Sequence, residues 1–301
     1  NSPCPEIEMG SHCTKPHDCI YQSRCNSVKE KPAKVSYEIL PNKGKKLPIY
    51  CKENDIVNLE DIPPEKLNDN HRVIQAAHKS NEEWISDELK SILKGFEWPF
   101  YFIDFETINQ GVPIVKGTGP YYAMPFQWSV HKWNSPDQEM KLEEGMSFLD
   151  FENQDLELKF LESLLKAVED KGTVFAHNAP TEKNVLKKLK DKDSCKHLAL
   201  QIDNLLERIV DTLIIVKKNF YHPKMNGEYG IKKIIKSIPA SISYEEEDNI
   251  EGGVGAQLAW FIYTDPKTNE DEKIKQIKLL KEYCAKDTMA IYDLIKYLIT
   301  K

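Results

Sequence analysis

A run of apolar residues that ends in two acids constrains the fold of this chain more than any other feature. The run begins at Phe100 and reads Phe-Tyr-Phe-Ile-Asp-Phe-Glu, which is typical of a buried strand. Residues two apart on a strand face the same side, so Asp104 and Glu106 share one face. Two carboxylates there repel each other and are costly to bury unpaired, and a bound cation removes that cost. The alternative is a strand end at which both acids reach solvent, and an isolated Asp-x-Glu is too common to decide.

Glu182 stands at the start of a predicted helix. The residues from Thr173 to Asn178 form a short apolar strand pattern, and Pro180 suits the first turn of the helix that follows. Glu182 can therefore point toward the strand ends. The alternative is an acid that occupies a helix start because the helix dipole favours it there.

Tyr283 and Asp287 lie four residues apart in a long helical pattern near the end of the sequence. This spacing puts both side chains on one helix face. The same helix has an apolar stripe made of Leu279, Leu280, Ala290, Ile291 and Leu294. An aspartate beside apolar side chains is costly unless it meets a cation or a hydrogen-bond donor. The alternative is an ordinary amphipathic helix with polar residues at its boundary.

Periodicity predicts an α/β fold. Strand patterns occupy residues 100–106, 126–133, 140–148, 173–177 and 209–212, and helical patterns occupy 153–169, 181–189 and 273–299. Three strands followed by strand–helix alternation predict a mixed sheet flanked by helices. Residues 58–93 are helical in pattern, with one helix from Ile62 to Leu67 and a second from Asn81 to Leu93. We divide the chain into a Cys-rich segment at 1–30, a linker or helical subdomain at 31–96 and the α/β domain at 97–301.

In their order and setting, the three acidic groups resemble the motifs of the DEDD exonuclease superfamily, of the proofreading and ribonuclease D type. The matching residues are Asp104, Glu106 and Thr107 for the first motif, His177, Asn178, Glu182 and Leu186 for the second, and Tyr283 and Asp287 for the third in its tyrosine version. One position departs, because the superfamily usually has aspartate where this chain has Glu182. Glutamate keeps the charge but is one methylene longer, which would shift a second metal ion.

The chain resembles one uncharacterised bacterial domain family of that superfamily more closely, over about two thirds of its length. The residues that carry this resemblance are Phe102 to Thr107, Pro125 to His131, Tyr221 to Pro223, Gly230 to Lys233 and Tyr283 to Thr288. In this family glutamate is usual at the position of Glu182. Its members carry the domain downstream of an iron–sulfur nuclease domain of the RecB-like, CRISPR-associated kind, which implies that the full-length protein has such an upstream partner domain.

The resemblance implies a ribonuclease-H-like fold and a 3′–5′ exonuclease that uses two Mg²⁺ or Mn²⁺ ions on a single-stranded DNA or RNA end. It implies that Asp104 and Asp287 bind the tighter ion and that Glu106 bridges toward the substrate. Glu182 would act through the second ion or its water, and Tyr283 would position the attacking water. The substrate-binding residues would be Thr107, His177, Asn178, Lys232 and Lys233. Asp211 is a further candidate ligand, and the alternative is that it caps the helix that follows.

Four cysteines in the first 25 residues, Cys4, Cys13, Cys19 and Cys25, predict a second metal centre. Their spacing is not that of a zinc ribbon, so the residues leave an iron–sulfur cluster and Zn²⁺ both open, with His12 or His17 as a substitute ligand. The alternative is reduced thiols without a metal. Seven cysteines in all is an odd number, which argues against a secreted disulfide framework and favours a reducing cytoplasm.

The charge balance is acidic, with 48 acids against 41 bases and a formal net charge of −7. Nucleic-acid-binding proteins usually show a basic excess, but phosphate contacts need only a local basic face. Candidate lysines for such a face are Lys183, Lys187, Lys188, Lys190, Lys217, Lys218, Lys224, Lys232, Lys233 and Lys236. The acidic charge and the departure at Glu182 favour an alternative function, a nucleic-acid-binding module with a degenerate site that assists the upstream nuclease.

The sequence contains no run of apolar residues long enough to cross a membrane. It begins Asn-Ser-Pro-Cys, without an initiator methionine or the apolar stretch of a signal peptide. We therefore expect the cut end of a longer protein or an artificial start, and no membrane partner.

Overall fold

The apolar run around Asp104 forms the middle strand of a five-stranded mixed sheet. The computed structural model describes Cys13, Cys19, Tyr21 and residues 34–113, 118–151, 155–244 and 252–301. The sheet consists of β2 (Phe100–Asn109), β3 (Ala123–Trp133), β4 (Met146–Leu149), β5 (Thr173–Ala176) and β6 (Ile209–Asp211). Its spatial order is β4-β3-β2-β5-β6. The pairs β2–β3 and β3–β4 are antiparallel, and β2–β5 and β5–β6 are parallel. The predicted mixed sheet is therefore confirmed.

Helices connect and flank the strands of the sheet, and further helices precede the sheet in the chain. The described helices are α1 (Lys46–Glu53), α2 (Asp69–Ser80), α3 (Leu89–Lys94), α4 (Leu156–Val168), α5 (Pro180–Lys190), α6 (Ala199–Arg208), α7 (Thr212–Asn219), α8 (Ile231–Ile235), α9 (Gly252–Thr264) and α10 (Glu270–Ile299). Short 3₁₀ helices occupy Tyr37–Ile39, Leu59–Asp61, Pro64–Lys66, Leu142–Glu144, Asp193–Leu198 and Pro223–Met225. Strands β1 (Trp84–Ile85) and β7 (Phe220–Tyr221) form a separate antiparallel pair. Within these described helices, none is long and apolar enough to cross a membrane.

The chain divides into two compact units, one up to Leu67 and one from Asn68 to the end. In the first, Ser36 and Asn58 form an isolated antiparallel bridge, and Leu40, Leu47, Cys51, Leu59 and Ile62 are buried. The second unit contains the sheet together with α2, β1 and α3.

The two faces of β2 are covered by different helices. Tyr101, Ile103 and Phe105 on one face pack in a core cluster with side chains of α4, α5 and α6. Ile108 on the other face packs with α9 and α10, and Phe102 on that face contacts Tyr292 of α10 edge-on, with ring centroids 5.7 Å apart. Because Asp104 and Glu106 alternate with the first set, they lie on the face that α10 covers.

The main elements lie where the sequence predicts them, and three short elements differ from the prediction. The prediction of a single helix from Asn81 to Leu93 was wrong, because residues 84–85 form β1 and the helix begins only at Leu89. The helix expected from Ile62 to Leu67 is a single 3₁₀ turn at Pro64–Lys66, and α2 follows it. The strand expected over 140–148 is confined to Met146–Leu149, after a 3₁₀ turn. In the first case the pairing of β1 with the distant β7 overrides a local helical pattern.

Candidate active site

Three carboxylates from two elements converge on the sheet face that α10 covers. Asp104 and Glu106 project from β2, and Asp287 projects from α10. One oxygen of each lies within 4.8 Å of one oxygen of each of the others. Glu106 is buried, and Asp104 and Asp287 are half-buried. Carboxylate oxygens at this separation are able to share one divalent cation.

A bulge in β3 lies directly beside this group. The register pairs Glu106 with Gln127 and Thr107 with Pro125, so Phe126 has no counterpart on β2. Pro125 has no N–H to donate to a regular ladder, which suits it to an irregular position in a strand. Bulges of this kind redirect the side chains around them. Here the bulge shifts the alternation of β3, so that Phe126 packs in the same cluster as Ile108 while Trp128 packs in the same cluster as Phe105.

Helix α10 is tied to the sheet next to the carboxylates. The thiol of Cys284 lies 3.5 Å from Oδ2 of Asp104 and 3.6 Å from its carbonyl oxygen, and donates to both. One turn earlier, Nε2 of Gln127 donates to the carbonyl oxygen of Leu280 at 2.7 Å. The two contacts hold the helix segment that carries Asp287 at a fixed place over β2.

The ionisation of these acids is opposed by burial and by their neighbours. Burial and the charge of Asp287 raise the pKa of Asp104 well above its usual range. Burial and the charges of Asp287 and Glu182 raise the pKa of Glu106 to about 8, although Lys232 acts in the opposite direction. A folded chain gains no stability from crowding acids in this way, and such crowding is characteristic of functional sites.

Glu182 lies beside the group of three but outside it. Its side chain is 4% exposed, and burial raises its pKa to about 7. Its Oε2 has no hydrogen-bond partner among the described residues. Its charge contributes to the raised pKa values of both Asp104 and Glu106. An unpartnered buried carboxylate oxygen is costly unless something else, such as a cation or an ordered water, satisfies it.

Two tyrosines and one lysine border the carboxylates. Tyr283 forms a hydrogen bond with Asp287, and burial together with the acids raises its pKa far above the ordinary value. The hydroxyl of Tyr244 donates to Oδ1 of Asp287 at 2.6 Å. The ammonium of Lys232 lies 5.0 Å from the ring centroid of Tyr244 and 4.9 Å from that of Tyr283. Tyr283 and Lys232 were predicted from the sequence. Tyr244 was not, because it stands in a loop where no periodic pattern marks it.

His177 and Asn178 of the second predicted motif form hydrogen bonds within the protein. Nδ1 of His177 lies 3.0 Å from Oγ1 of Thr212, and its Nε2 lies 2.9 Å from the carbonyl oxygen of Tyr229. Both ring nitrogens are therefore engaged within the protein. Asn178 adopts a left-handed conformation with φ of 69°, and its side chain is exposed. Its N–H donates to Oδ1 of Asp211 at 3.0 Å.

The remaining predicted residues have these positions. Asp211 caps α7, because its Oδ1 accepts from the N–H of Leu213 at 2.9 Å, and its charge raises the pKa of Glu182. Lys233 forms an ion pair with Glu228 at 3.1 Å. Thr107 is half-buried on β2 next to the bulge. Asp211 thus has the capping position that the sequence left as an alternative.

The cysteine site stays a prediction. Cys4 and Cys25 lie outside the described residues, as do His12 and His17. Cys13 and Cys19 are free thiols, and the N–H of Cys19 donates to the carbonyl oxygen of Cys13 at 2.8 Å. Elemental analysis with a visible absorption spectrum would distinguish an iron–sulfur cluster, zinc and no metal.

Comparison with known proteins gives one family match. The sequence model of a domain of unknown function (DUF2779) matches residues 101–230. No curated protein and no solved structure matches the chain. The matched span begins within β2 and ends before α8, so it includes Asp104, Glu106 and Glu182 but neither Lys232 nor Asp287. The match covers less than half of the chain and carries no statement about activity.

Proposed function

We propose that this protein is a metal-dependent nuclease of ribonuclease-H-like fold that removes nucleotides from the 3′ end of a single strand. The convergence of Asp104, Glu106 and Asp287 within 4.8 Å is the observation that carries the proposal. The pairing of the sheet supports it, because three successive antiparallel strands are followed by two that join in parallel. The sequence resemblance to DEDD exonucleases rests on the same acids.

The donor set suits Mg²⁺ or Mn²⁺. The group consists of oxygen atoms only, which these hard cations prefer. The charges of Asp104, Glu106 and Asp287 repel one another. Oε2 of Glu182, which has no hydrogen-bond partner in the described part of the chain, provides a further oxygen next to them. A divalent cation would reduce the repulsion between the three carboxylates and would give Oε2 of Glu182 a partner. Asp104, Glu106 and Asp287 would hold one ion, and Glu182 would contribute to a second.

The protein residues have separate tasks in this proposal. When bound, the cations supply Lewis acidity that neutralises charge on the reacting phosphate. Tyr283 keeps its proton, since its pKa is raised, so it orients the attacking water by a hydrogen bond and does not act as a base. The ammonium of Lys232 provides positive charge at the edge of the site, where a phosphate would otherwise meet only carboxylates.

A nuclease assay tests the proposal. A 5′-labelled single strand of DNA or RNA incubated with Mn²⁺ should give a ladder that shortens from the 3′ end, and EDTA should abolish it. Asp104→Asn and Asp287→Asn should each lower the rate at least about 100-fold, because each replaces a charged carboxylate ligand by a neutral amide. Tyr283→Phe should cost about tenfold, since it removes one hydrogen bond. Glu143→Gln, which changes an exposed acid in the 3₁₀ turn at Leu142–Glu144, is the matched control and should leave the rate unchanged.

The same assay separates the alternative function. A wild-type protein that binds the strand but does not cut it with either Mg²⁺ or Mn²⁺ would support a binding module with a degenerate site. Glu182→Asp is informative here. If the backbone at this position requires the length of glutamate, the shorter aspartate should lower the rate of cleavage. A higher rate would indicate that the site is a degraded version of the superfamily pattern.

A further inference from the structure

Tyr244 contacts one of the proposed metal ligands directly. Its hydroxyl donates to Oδ1 of Asp287 at 2.6 Å, and its side chain is 8% exposed. A hydrogen bond to a ligating carboxylate fixes the orientation in which the carboxylate meets the cation. With Oδ1 engaged by Tyr244, Asp287 has one defined orientation toward Asp104 and Glu106.

The segment that carries Tyr244 is anchored on the same helix as Asp287. The N–H of Ser241 donates to Oδ2 of Asp293 at 2.7 Å, and its hydroxyl donates to Oδ1 at 3.0 Å. The N–H of Ile242 also donates to Oδ2 of Asp293, at 3.3 Å. Asp293 lies less than two turns beyond Asp287 on α10. The backbone just before Tyr244 is thus tied to α10, so the Tyr244 hydroxyl cannot shift far from Asp287.

The ring of Tyr244 has a second contact. Lys232 lies over it at 5.0 Å from the centroid, and over the ring of Tyr283 at 4.9 Å. Cation–π contacts of this kind favour a fixed ammonium position. The lysine is half-buried as the second residue of the short helix α8, and its charge acts on Glu106. Two tyrosine rings therefore hold a positive charge beside the carboxylates.

We infer that Tyr244 is a positioning residue with two separable tasks: its hydroxyl orients Asp287 for the cation, and its ring holds Lys232 for a substrate phosphate. The inference rests on the proposed function, because it assigns the same site a cation and a nucleic acid strand. The hydroxyl task concerns metal affinity, and the ring task concerns strand affinity, so two substitutions of one residue can separate them.

The test measures binding without catalysis. Mn²⁺ affinity is measured by calorimetry, with Asp287→Asn as the baseline for Mn²⁺ bound elsewhere. Strand affinity is measured by fluorescence anisotropy of a labelled single strand in EDTA. Tyr244→Phe, which keeps the ring, should weaken Mn²⁺ binding about tenfold and leave strand affinity unchanged. Tyr244→Leu should weaken both, and Lys232→Gln should weaken strand binding without weakening Mn²⁺ binding.

A matched control exists elsewhere in the chain. The hydroxyl of Tyr122 donates to Oε1 of Glu157 at 2.5 Å, which is the same kind of bond outside the site. Tyr122→Phe should leave both affinities unchanged. If thermal unfolding shows that Tyr244→Phe is folded, and this variant binds Mn²⁺ as tightly as the wild type, the inference is wrong while the proposed function stands. If the wild type shows no Mn²⁺ binding above the Asp287→Asn baseline, the proposed function fails and the inference fails with it.

Discussion

One carboxylate oxygen of Asp104 on β2 lies within 4.8 Å of one of Asp287 on α10, the last helix of the chain. The two acids come from distant parts of the sequence, so the fold itself brings their charges together. Each raises the cost of ionising its neighbours, and burial adds to that cost. The site therefore holds electrostatic repulsion that weakens the fold unless a cation is bound, and removing one charge should relieve it.

Glu106→Gln should stabilise the protein in EDTA at pH 8. The substitution keeps the side chain's size and removes a negative charge that is unfavourable because the side chain is buried and lies near the charge of Asp287. We expect a gain of about 2 kcal/mol or more in the free energy of unfolding, since one pH unit of pKa corresponds to about 1.4 kcal/mol. In thermal unfolding this is about 2–4 °C for each kcal/mol. Glu143→Gln should show no gain, and an equal or lower stability of Glu106→Gln would contradict the electrostatic account.

The stability of the metal-free protein should fall between pH 5 and pH 8. Folding raises the pKa of Glu106 to about 8 and that of Glu182 to about 7, from ordinary values near 4.5. Within this window the folded state keeps protons that the unfolded chain has lost, so stability is greatest below the window and decreases as pH rises through it. Thermal unfolding in EDTA at several pH values measures this. The stability of Glu106→Gln should change less than that of the wild type over the same pH range.

Added Mn²⁺ should counteract that loss, and by more at pH 8 than at pH 6. Carboxylates must be deprotonated to bind a metal, so binding is favoured as pH rises. The rise in unfolding temperature on adding Mn²⁺ should therefore grow with pH in the wild type and nearly vanish in Asp287→Asn. A rise independent of pH, or equal in the variant, would indicate that Mn²⁺ binds elsewhere.

The sequence was sufficient for the parts of the site that regular elements carry. Asp104 and Glu106 share a face because strand residues alternate, and Tyr283 stands with Asp287 because a helix repeats near every fourth residue. These two periodicities depend only on the strand or helix itself and not on the rest of the chain. The strands and long helices around these residues were predicted for the same reason.

The parts of the fold and of the site that were not predicted from the sequence depend on contacts between segments that are distant in the chain. Tyr244 reaches Asp287 from a loop whose path is set by Ser241 and Asp293, and no local pattern encodes that path. The short strand at Trp84 exists because Phe220 and Tyr221 lie beside it, so its local helical pattern misled the prediction. The hydrogen bonds of His177 were equally hidden, since both of its partners come from later in the chain.

Thr288→Val should destabilise the protein by about 1–3 kcal/mol. Thr288 is buried beside Asp287, and its Oγ1 lies 2.8 Å from Nδ1 of His131 and 3.1 Å from Oγ of Ser129. Nε2 of His131 faces the carbonyl oxygen of Leu142, so Nε2 carries the proton and Nδ1 accepts from Thr288. Valine has the same shape but leaves these groups unpaired. Denaturant unfolding measures the loss, and Thr288→Ser, which keeps the hydroxyl, should lose less.

Gly172→Ala should destabilise the pairing of β2 with β5. Gly172 has φ of +87°, and a Cβ there would meet the carbonyl oxygen of Pro99 at 2.1 Å. The left-handed conformation costs on the order of 1–2 kcal/mol for alanine, and the clash adds to it. Gly44→Ala is the control, since Gly44 has φ of +62° with no described atom within 4 Å of an added Cβ. Denaturant unfolding should show a larger loss for Gly172→Ala, and equal losses would mean that the backbone accommodates the clash.

An anomalous-scattering map of crystals soaked in Mn²⁺ tests the central claim most directly. The claim is that Asp104, Glu106 and Asp287 hold a divalent cation, with Glu182 close enough to contribute to a second. The map should show a peak among the three carboxylates that disappears in Asp287→Asn crystals treated in the same way. A map with no peak there, in crystals whose wild-type carboxylates are well ordered, would contradict the account.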